Sequence, residues 1–255
     1  MTRHDLSPIP EVLAGRERPL VMAHRGNSAA APENTMAAFR RALLDGADLL
    51  ETDLHETRDG QFVCVHDETL LRTGGVPLAV ADLTLQELRS HPVACGRKGF
   101  GDERVPALGE LLEILPAGAG LALELKTDRF LEPAVGRRLG DLLRSFGALD
   151  RTAVLSFEFA RCRAVRREVP GLRTGFITMT GGLPPDGEAE MVGPFWPVLL
   201  ANPLFPWLAH RRGLFVAPLD DAPDRLLPYY RLIGCDAVLT NDPAATLRTL
   251  GRAAG

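Results

Sequence analysis

The sequence predicts an α/β protein built as a TIM-type (β/α)8 barrel with a small insertion after the third strand. Eight short apolar runs alternate with stretches of helical spacing, which is the pattern of parallel strands covered by helices. The chain has 255 residues, and such a barrel fills about that length as one domain. An open doubly wound sheet competes, but no G-x-G-x-x-G follows the first run. Residues 1–255 are read as a single barrel domain.

The expected strands, in order, are 20–24 (LVMAH), 48–54 (DLLETDL), 61–66 (QFVCVH), 121–126 (LALELK), 152–157 (TAVLSF), 173–178 (RTGFIT), 214–219 (LFVAPL) and 236–240 (DAVLT). Helical patterns fall at 34–45, 106–115, 131–147, 158–168, 222–233 and 243–253. In the third of these, Leu139, Leu142, Leu143 and Phe146 recur at the i, i+3, i+4, i+7 spacing of a packed face. Pro-Glu-Asn-Thr (32–35) opens the first, with Asn34 or Thr35 able to cap it. Two stretches break the alternation. Residues 67–105 hold turn signals and one short helix near 82–90, so they are expected as an insertion above the barrel. Residues 180–206, rich in Gly, Pro and aromatics, read as an elaborated loop with one short helix. Thr57-Arg58-Asp59-Gly60 reads as a hairpin turn; centred on Asp59-Gly60, it sets Asp53 opposite His66.

Composition excludes several classes. Net charge is −4 with no basic block, so a nucleic-acid partner lacks its electrostatic footprint. Four scattered cysteines, Cys64, Cys95, Cys162 and Cys235, form no C-x-x-C pair, so they are expected as idle thiols in a reducing compartment. No apolar run has the length of a secretory signal or a membrane span. The expectation is a cytoplasmic protein without stable membrane insertion.

Unusual polar residues gather at the strand ends. His24 and Arg25 end the first strand, and His66 with Asp67 ends the third. Glu51 and Asp53 stand two apart in the second, and Glu124 and Lys126 two apart in the fourth, so each pair shares a face. Strand ends on the C-terminal side of a barrel are where active sites form. Three carboxylates, Glu51, Asp53 and Glu124, make an oxygen-ligand set for one hard divalent cation, Mg²⁺ or Ca²⁺. Arg25 and Lys126 beside them suit an anionic substrate, Arg25 as a bidentate phosphate partner and Lys126 as a point charge. His24 and His66 can serve as a general acid and base. Together these groups describe hydrolysis of a phosphate ester.

Other candidates carry less. Ser156 lacks a G-x-S-x-G elbow. His55 is assigned to the face opposite Asp53, and Glu56 to Asp53's face but beyond the strand end. His4, His91 and His210 are read as solvated, and Arg161, Arg163, Arg166 and Arg167 as the outer face of a helix.

Through these residues the chain resembles the glycerophosphodiester phosphodiesterase family. The blocks that carry the likeness are "AHRGNSAAAPENTMAAF", "GADLLETDLHETRDGQFVCVHDETLLRTGG", "LTLQEL", "VPALGELLEILP" and "LALELK", with weaker ones at "VLSF" and "CDAVLTNDP". They run from about Val21 to Pro243. The resemblance implies a TIM-type barrel with a small insert after the H-D motif, and metal-dependent hydrolysis of a small glycerophosphodiester to an alcohol and sn-glycerol 3-phosphate. It implies His24 and His66 as the acid/base pair, Glu51, Asp53 and Glu124 as metal ligands, and Arg25 and Lys126 as the phosphate clamp. It also implies Glu33 in a supporting role, bracing Arg25. The family commonly carries a W-T-V-N-like segment in its penultimate strand. Here Ala217-Pro218-Leu219-Asp220 stands in its place, with Phe195 or Trp196 as candidate replacements for the aromatic. That departure leaves open a related phosphodiesterase acting on lysophospholipids or sugar phosphodiesters. A non-catalytic phosphometabolite-binding barrel is the remaining alternative.

Overall fold

The structure is a computed structural model and describes residues 10–252. His4 and the last residue of the expected helix 243–253 lie outside them.

The strands are β1 Leu20–His24, β2 Leu49–Glu56, β3 Phe62–Cys64, β4 Gly120–Leu125, β5 Thr152–Ser156, β6 Arg173–Thr178, β7 Met191–Pro194, β8 Phe215–Val216 and β9 Ala237–Thr240. Eight of them follow the order β8-β7-β6-β5-β4-β2-β1-β9, and every neighbouring pair along that path is parallel. The backbone N–H of Asp236 donates to Val216 O (2.8 Å) and draws the last gap nearly shut. The result is the expected parallel barrel with helices between its strands.

Which runs form the barrel differs from expectation in one exchange. The run at 61–66 contributes β3, an antiparallel partner of β2 that lies off the barrel path. The Thr57–Gly60 turn is therefore a true hairpin, but its register is one residue away from the expected one, because Val65 N donates to Asp53 O. The eighth barrel strand is β7, inside the stretch read as a loop. It has four residues and ends Gly-Pro, so it shows neither alternation nor a long apolar run. A Cβ at Gly193 would stand 3.3 Å from Ala217 O, a tight contact that glycine avoids. Two short helices follow it, Trp196–Ala201 and Phe205–His210, where one was expected.

The barrel interior is packed by Leu20, Met22, Leu49, Ala122, Ala153 and Met191, among others, and Leu13 plugs its lower end at 1% exposure. At that end three buried acids staple neighbouring strands. Asp48, before β2, accepts from Val21 N (2.8 Å) and pairs with Arg16 and Arg252. Glu190, before β7, accepts from Thr174 N (2.9 Å) and pairs with Arg166. Asp236, before β9, accepts from Val216 N (2.8 Å) and pairs with Arg18 and His210. A buried carboxylate persists only when paired and hydrogen-bonded, so Arg166 is a structural partner, not the solvated residue expected from the sequence. Arg161 is likewise engaged, with Asp128 and Leu125 O, and His210 holds Asp236.

The segment 67–105 packs as a satellite, with Val63, Val65, Leu70, Val80, Leu88 and Val93 in its own apolar cluster. Its expected helix is Leu85–Arg89, opened by a Thr84–Glu87 capping box. Arg97 ties it to the loop after β1 by donating to Ser28 O, Ala29 O and Ala31 O at 2.6–2.9 Å. No described helix is long and apolar enough to cross a membrane.

Candidate active site

Strand register assembles the site. His24 lies beside Glu51 across β1 and β2, and Asp53 lies beside Glu124 across β2 and β4. Glu51, Asp53 and Glu124 each offer a carboxylate oxygen, and these oxygens lie within 4.8 Å of one another. Lys126 Nζ stands 2.9 Å from Glu124 Oε1 and 3.5 Å from Asp53 Oδ1.

The His-Arg-Gly turn has a backbone reason. Arg25 and Gly26 both adopt positive φ, +57° and +78°, and a Cβ on residue 26 would meet the carbonyl carbon of Ala38 at 2.6 Å. Only glycine allows that approach. The turn aims Arg25 inward. Its N–H donates to Glu51 Oε2 (3.0 Å), Nη1 to Glu33 Oε1 (2.8 Å), and Nε lies 3.1 Å from Asp53 Oδ2. Glu33 also holds Arg72 at 2.7 Å, so it braces two arginines.

The sequence-read residues His24, Arg25, Glu33, Glu51, Asp53, His66, Glu124 and Lys126 come together. Sequence reasoning missed their partners. Asn34, considered only as a cap, donates from Nδ2 to Asp53 Oδ2 (2.9 Å) and accepts from Thr52 Oγ1 (2.7 Å); Thr35 does the capping. Its φ of +53° suits asparagine among non-glycine residues. Asp67 sits 2.7 Å from His66 Nδ1 and is held by Arg72. Asn241 sits 2.7 Å from His24 Nδ1. The face given to His55 is reversed: two residues apart in a strand, it shares Asp53's side, and its Nε2 lies 3.2 Å from His66 O. Glu56 still belongs to β2, on the other side, and pairs with Arg129 and Arg138. Neither Phe195 nor Trp196 lines the apolar cavity at the mouth. Trp196 packs into the outer core and Phe195 stands against it at 6.0 Å. The wall from β5 to β8 is instead apolar, with Leu155, Ile177, Met191, Gly193, Pro218 and Leu219.

The electrostatics favour a cation among the acids. Burial, then the charges of Asp53 and Glu124, holds the Glu51 carboxyl well above the usual range. Burial likewise raises Glu124 against the charge of Lys126. Burial pushes Asp53 up as well, but Arg25, His66 and Lys126 more than offset it, so Asp53 stays below the usual range. Asp53 Oδ1 is buried and accepts no hydrogen bond, a costly state for an acceptor unless something takes its lone pair. These residues could hold a divalent ion.

A stability test follows from Glu51. A carboxyl raised in the folded state binds its proton more tightly folded than unfolded. Its stabilising effect is therefore full at low pH and lost as pH rises through the raised value. In excess chelator, melting temperature should fall as pH rises across that window, and Glu51→Gln should flatten the fall. At pH 8 Glu51→Gln should melt higher than wild type, by about 2–4 °C per kcal/mol recovered. Differential scanning calorimetry reads both; a lower melting temperature for the variant would contradict the repulsion.

Residues 24–245 match the model of the glycerophosphoryl diester phosphodiesterase family. A glycerophosphodiester phosphodiesterase of Caldanaerobacter subterraneus subsp. tengcongensis is 33% identical over 254 residues, covering 92% of this chain and 99% of that protein. An Oleispira antarctica phosphodiesterase, solved with the product sn-glycerol-3-phosphate, superposes with a TM-score of 0.82 at 23% identity, over 91% of this chain and 97% of that one. A glycerophosphodiester phosphodiesterase of Agrobacterium tumefaciens gives 0.78 at 24%, over 90% and 99%. Fold and site thus define an enzyme of the TIM-barrel phosphodiesterase class. Within that class, the family match over nearly the whole chain and the 33% identity are decisive: the chain belongs to the glycerophosphoryl diester phosphodiesterase family.

Proposed function

We propose that this enzyme hydrolyses a small glycerophosphodiester to an alcohol and sn-glycerol 3-phosphate, with one Mg²⁺ or Ca²⁺ bound and His24 and His66 transferring protons. The observation that carries this reading is the convergence at one barrel mouth of three carboxylates, two Nδ1-anchored histidines and two inward cations. Glu51, Asp53 and Glu124 would hold the ion. The site's charge fits it: five carboxyl groups, Glu33, Glu51, Asp53, Asp67 and Glu124, face three cations, Arg25, Arg72 and Lys126, and an ion would relieve the repulsion that adds to burial in raising Glu51. When bound, a divalent ion supplies Lewis-acid polarisation of phosphoryl oxygens.

The chain's own groups do the rest. Arg25 and Lys126 stand where they neutralise phosphate oxygens as charge builds in the transition state. Glu33 and Asp53 keep the Arg25 guanidinium in plane and oriented. One histidine removes the proton of the attacking hydroxyl, from water or from the neighbouring glycerol carbon, and the other protonates the leaving alkoxide. The unpaired thiols favour a reducing, cytoplasmic setting.

Incubating the purified enzyme with glycerophosphocholine and glycerophosphoethanolamine, Mg²⁺ present, should release sn-glycerol 3-phosphate and the free alcohol. Release of phosphocholine, or no turnover of either, would overturn the reading. The apolar wall favours a second reading, a bulkier alcohol such as that of a lysophospholipid, over a sugar phosphodiester. Adding both classes to the same panel decides it, since each apolar group buried against that wall is worth about 1–3 kcal/mol of discrimination. A kcat/KM at least about tenfold above glycerophosphocholine would select the lysophospholipid, and a preference for the sugar diester would reject it.

A further inference from the structure

We propose that Asn241 is a positioning residue for proton transfer: it holds His24 as the Nδ1–H tautomer, with Asp221 orienting its amide. The inference rests on the reading of His24 as a proton-transfer group.

Asn241 follows β9, whose Thr240 lies beside Ala23 of β1, so barrel closure brings it next to His24. The amide could in principle present either end to His24, and its neighbours decide which. Asp221 Oδ2 lies 3.1 Å from Nδ2, and a carboxylate only accepts. Ser28 Oγ lies 2.9 Å from Oδ1 and 3.1 Å from His24 O, and its single proton can serve either, so the Asp221 carboxylate is the neighbour that decides. The backbone fixes the same unit: Asn241 N donates to Asp221 O, and Ala29 N donates to Asn241 O, both at 2.9 Å. Oδ1 therefore faces His24 Nδ1 at 2.7 Å, and an acceptor there requires the proton on Nδ1. The lone pair of the neutral ring is left on Nε2, on the side open to the barrel mouth, whose cavity His24 lines. Free histidine prefers the opposite tautomer, so this one is imposed.

The chemistry follows. Nε2 takes the proton of the attacking hydroxyl as its oxygen bonds to phosphorus, and the resulting imidazolium keeps its Nδ1–H on Asn241 Oδ1. Asn241 Oδ1 accepts from Nδ1–H whether the ring carries one proton or two. Burial and then Arg25 disfavour the charged form of His24.

Long-range ¹⁵N–¹H correlation spectra of the Mg²⁺-supplemented protein, with His24 assigned by mutation, read the tautomer directly. Wild type should show the Nδ1–H pattern. Asn241→Ala should shift His24 toward Nε2–H and lower kcat about 10- to 100-fold with KM within about threefold, part of what a positioned base contributes. Exchanging the pair, Asn241→Asp with Asp221→Asn, restores an acceptor opposite Nδ1 and a donor behind it. The double variant should regain the Nδ1–H pattern and at least about tenfold of the lost kcat. Asn241→Ala retaining the Nδ1–H pattern and a kcat within about threefold would overturn the proposal. So would a double variant that folds without recovering the tautomer. Should the wild type turn over no phosphodiester, the functional reading fails, while the tautomer still tests Asn241 without reference to activity.

Discussion

His66→Ala should lower kcat on a glycerophosphodiester by about 10²- to 10⁴-fold while leaving the far-ultraviolet spectrum and the melting transition near those of wild type. Positioned proton transfer contributes that much to a reaction whose leaving group is a poor alkoxide. His66 is built for it. Asp67 accepts from Nδ1 at 2.7 Å and is itself held by Arg72, which leaves Nε2 for the substrate. The fold depends little on the ring, because His66 is half-exposed and lies beyond β3. His24→Ala should cost a comparable factor for the same reason. A substrate with an activated leaving group such as p-nitrophenol separates the two roles, because its departure needs no acid. Whichever histidine donates the proton should then lose most of its importance, while the acceptor keeps its own. Near-native turnover by either alanine variant on the natural type of substrate would refute the role given to that residue.

Chelation should have an effect of similar size. Treatment with EDTA should reduce turnover by at least about 100-fold, the several kcal/mol that a Lewis acid contributes to transition-state charge, and added Mg²⁺ or Ca²⁺ should restore it. The reason lies in this chain's own charges. Without the ion, a phosphodiester anion approaches a mouth where five carboxyl groups face three permanent cations, with Asp53 Oδ1 buried and accepting no hydrogen bond. Binding and chemistry both suffer. Asp53→Asn should mimic the treatment and resist rescue, because it removes a proposed ligand and the charge paired with Arg25 and Lys126. Full turnover in excess chelator would remove the ion from the reaction.

Much of the site is legible in the amino-acid order. His24 ends β1 with Arg25 next, Glu124 stands near the end of β4 with Lys126 just past it, and Glu51 and Asp53 lie within β2; strand parity puts Glu51 with Asp53 and Glu124 with Lys126. The same parity rule puts His55 with Asp53. The supporting residues are not legible in this way. Asn241 is 217 positions from His24, and nothing local says that the last strand closes against the first. Asn34 reads as a helix cap because its neighbour Thr35 is one. Arg72 carries no local signal, and only the folding of the insertion sets it between Glu33 and Asp67. Among the strands, β7 is hidden because four residues ending in Gly-Pro carry no period, whereas β3 shows a clear apolar run but pairs antiparallel outside the barrel.

By itself the sequence determined the alternation of strands and helices, and which carboxylates, histidines and cations stand at strand ends. These follow from local sterics and from the two-residue period of a strand, both written in adjacent residues. Tertiary structure decided which strand completed the barrel, which way each histidine ring faces, and how the acids share their charge. Those outcomes depend on groups far apart in the chain that meet only when the barrel closes, where burial makes every unpaired proton or lone pair expensive.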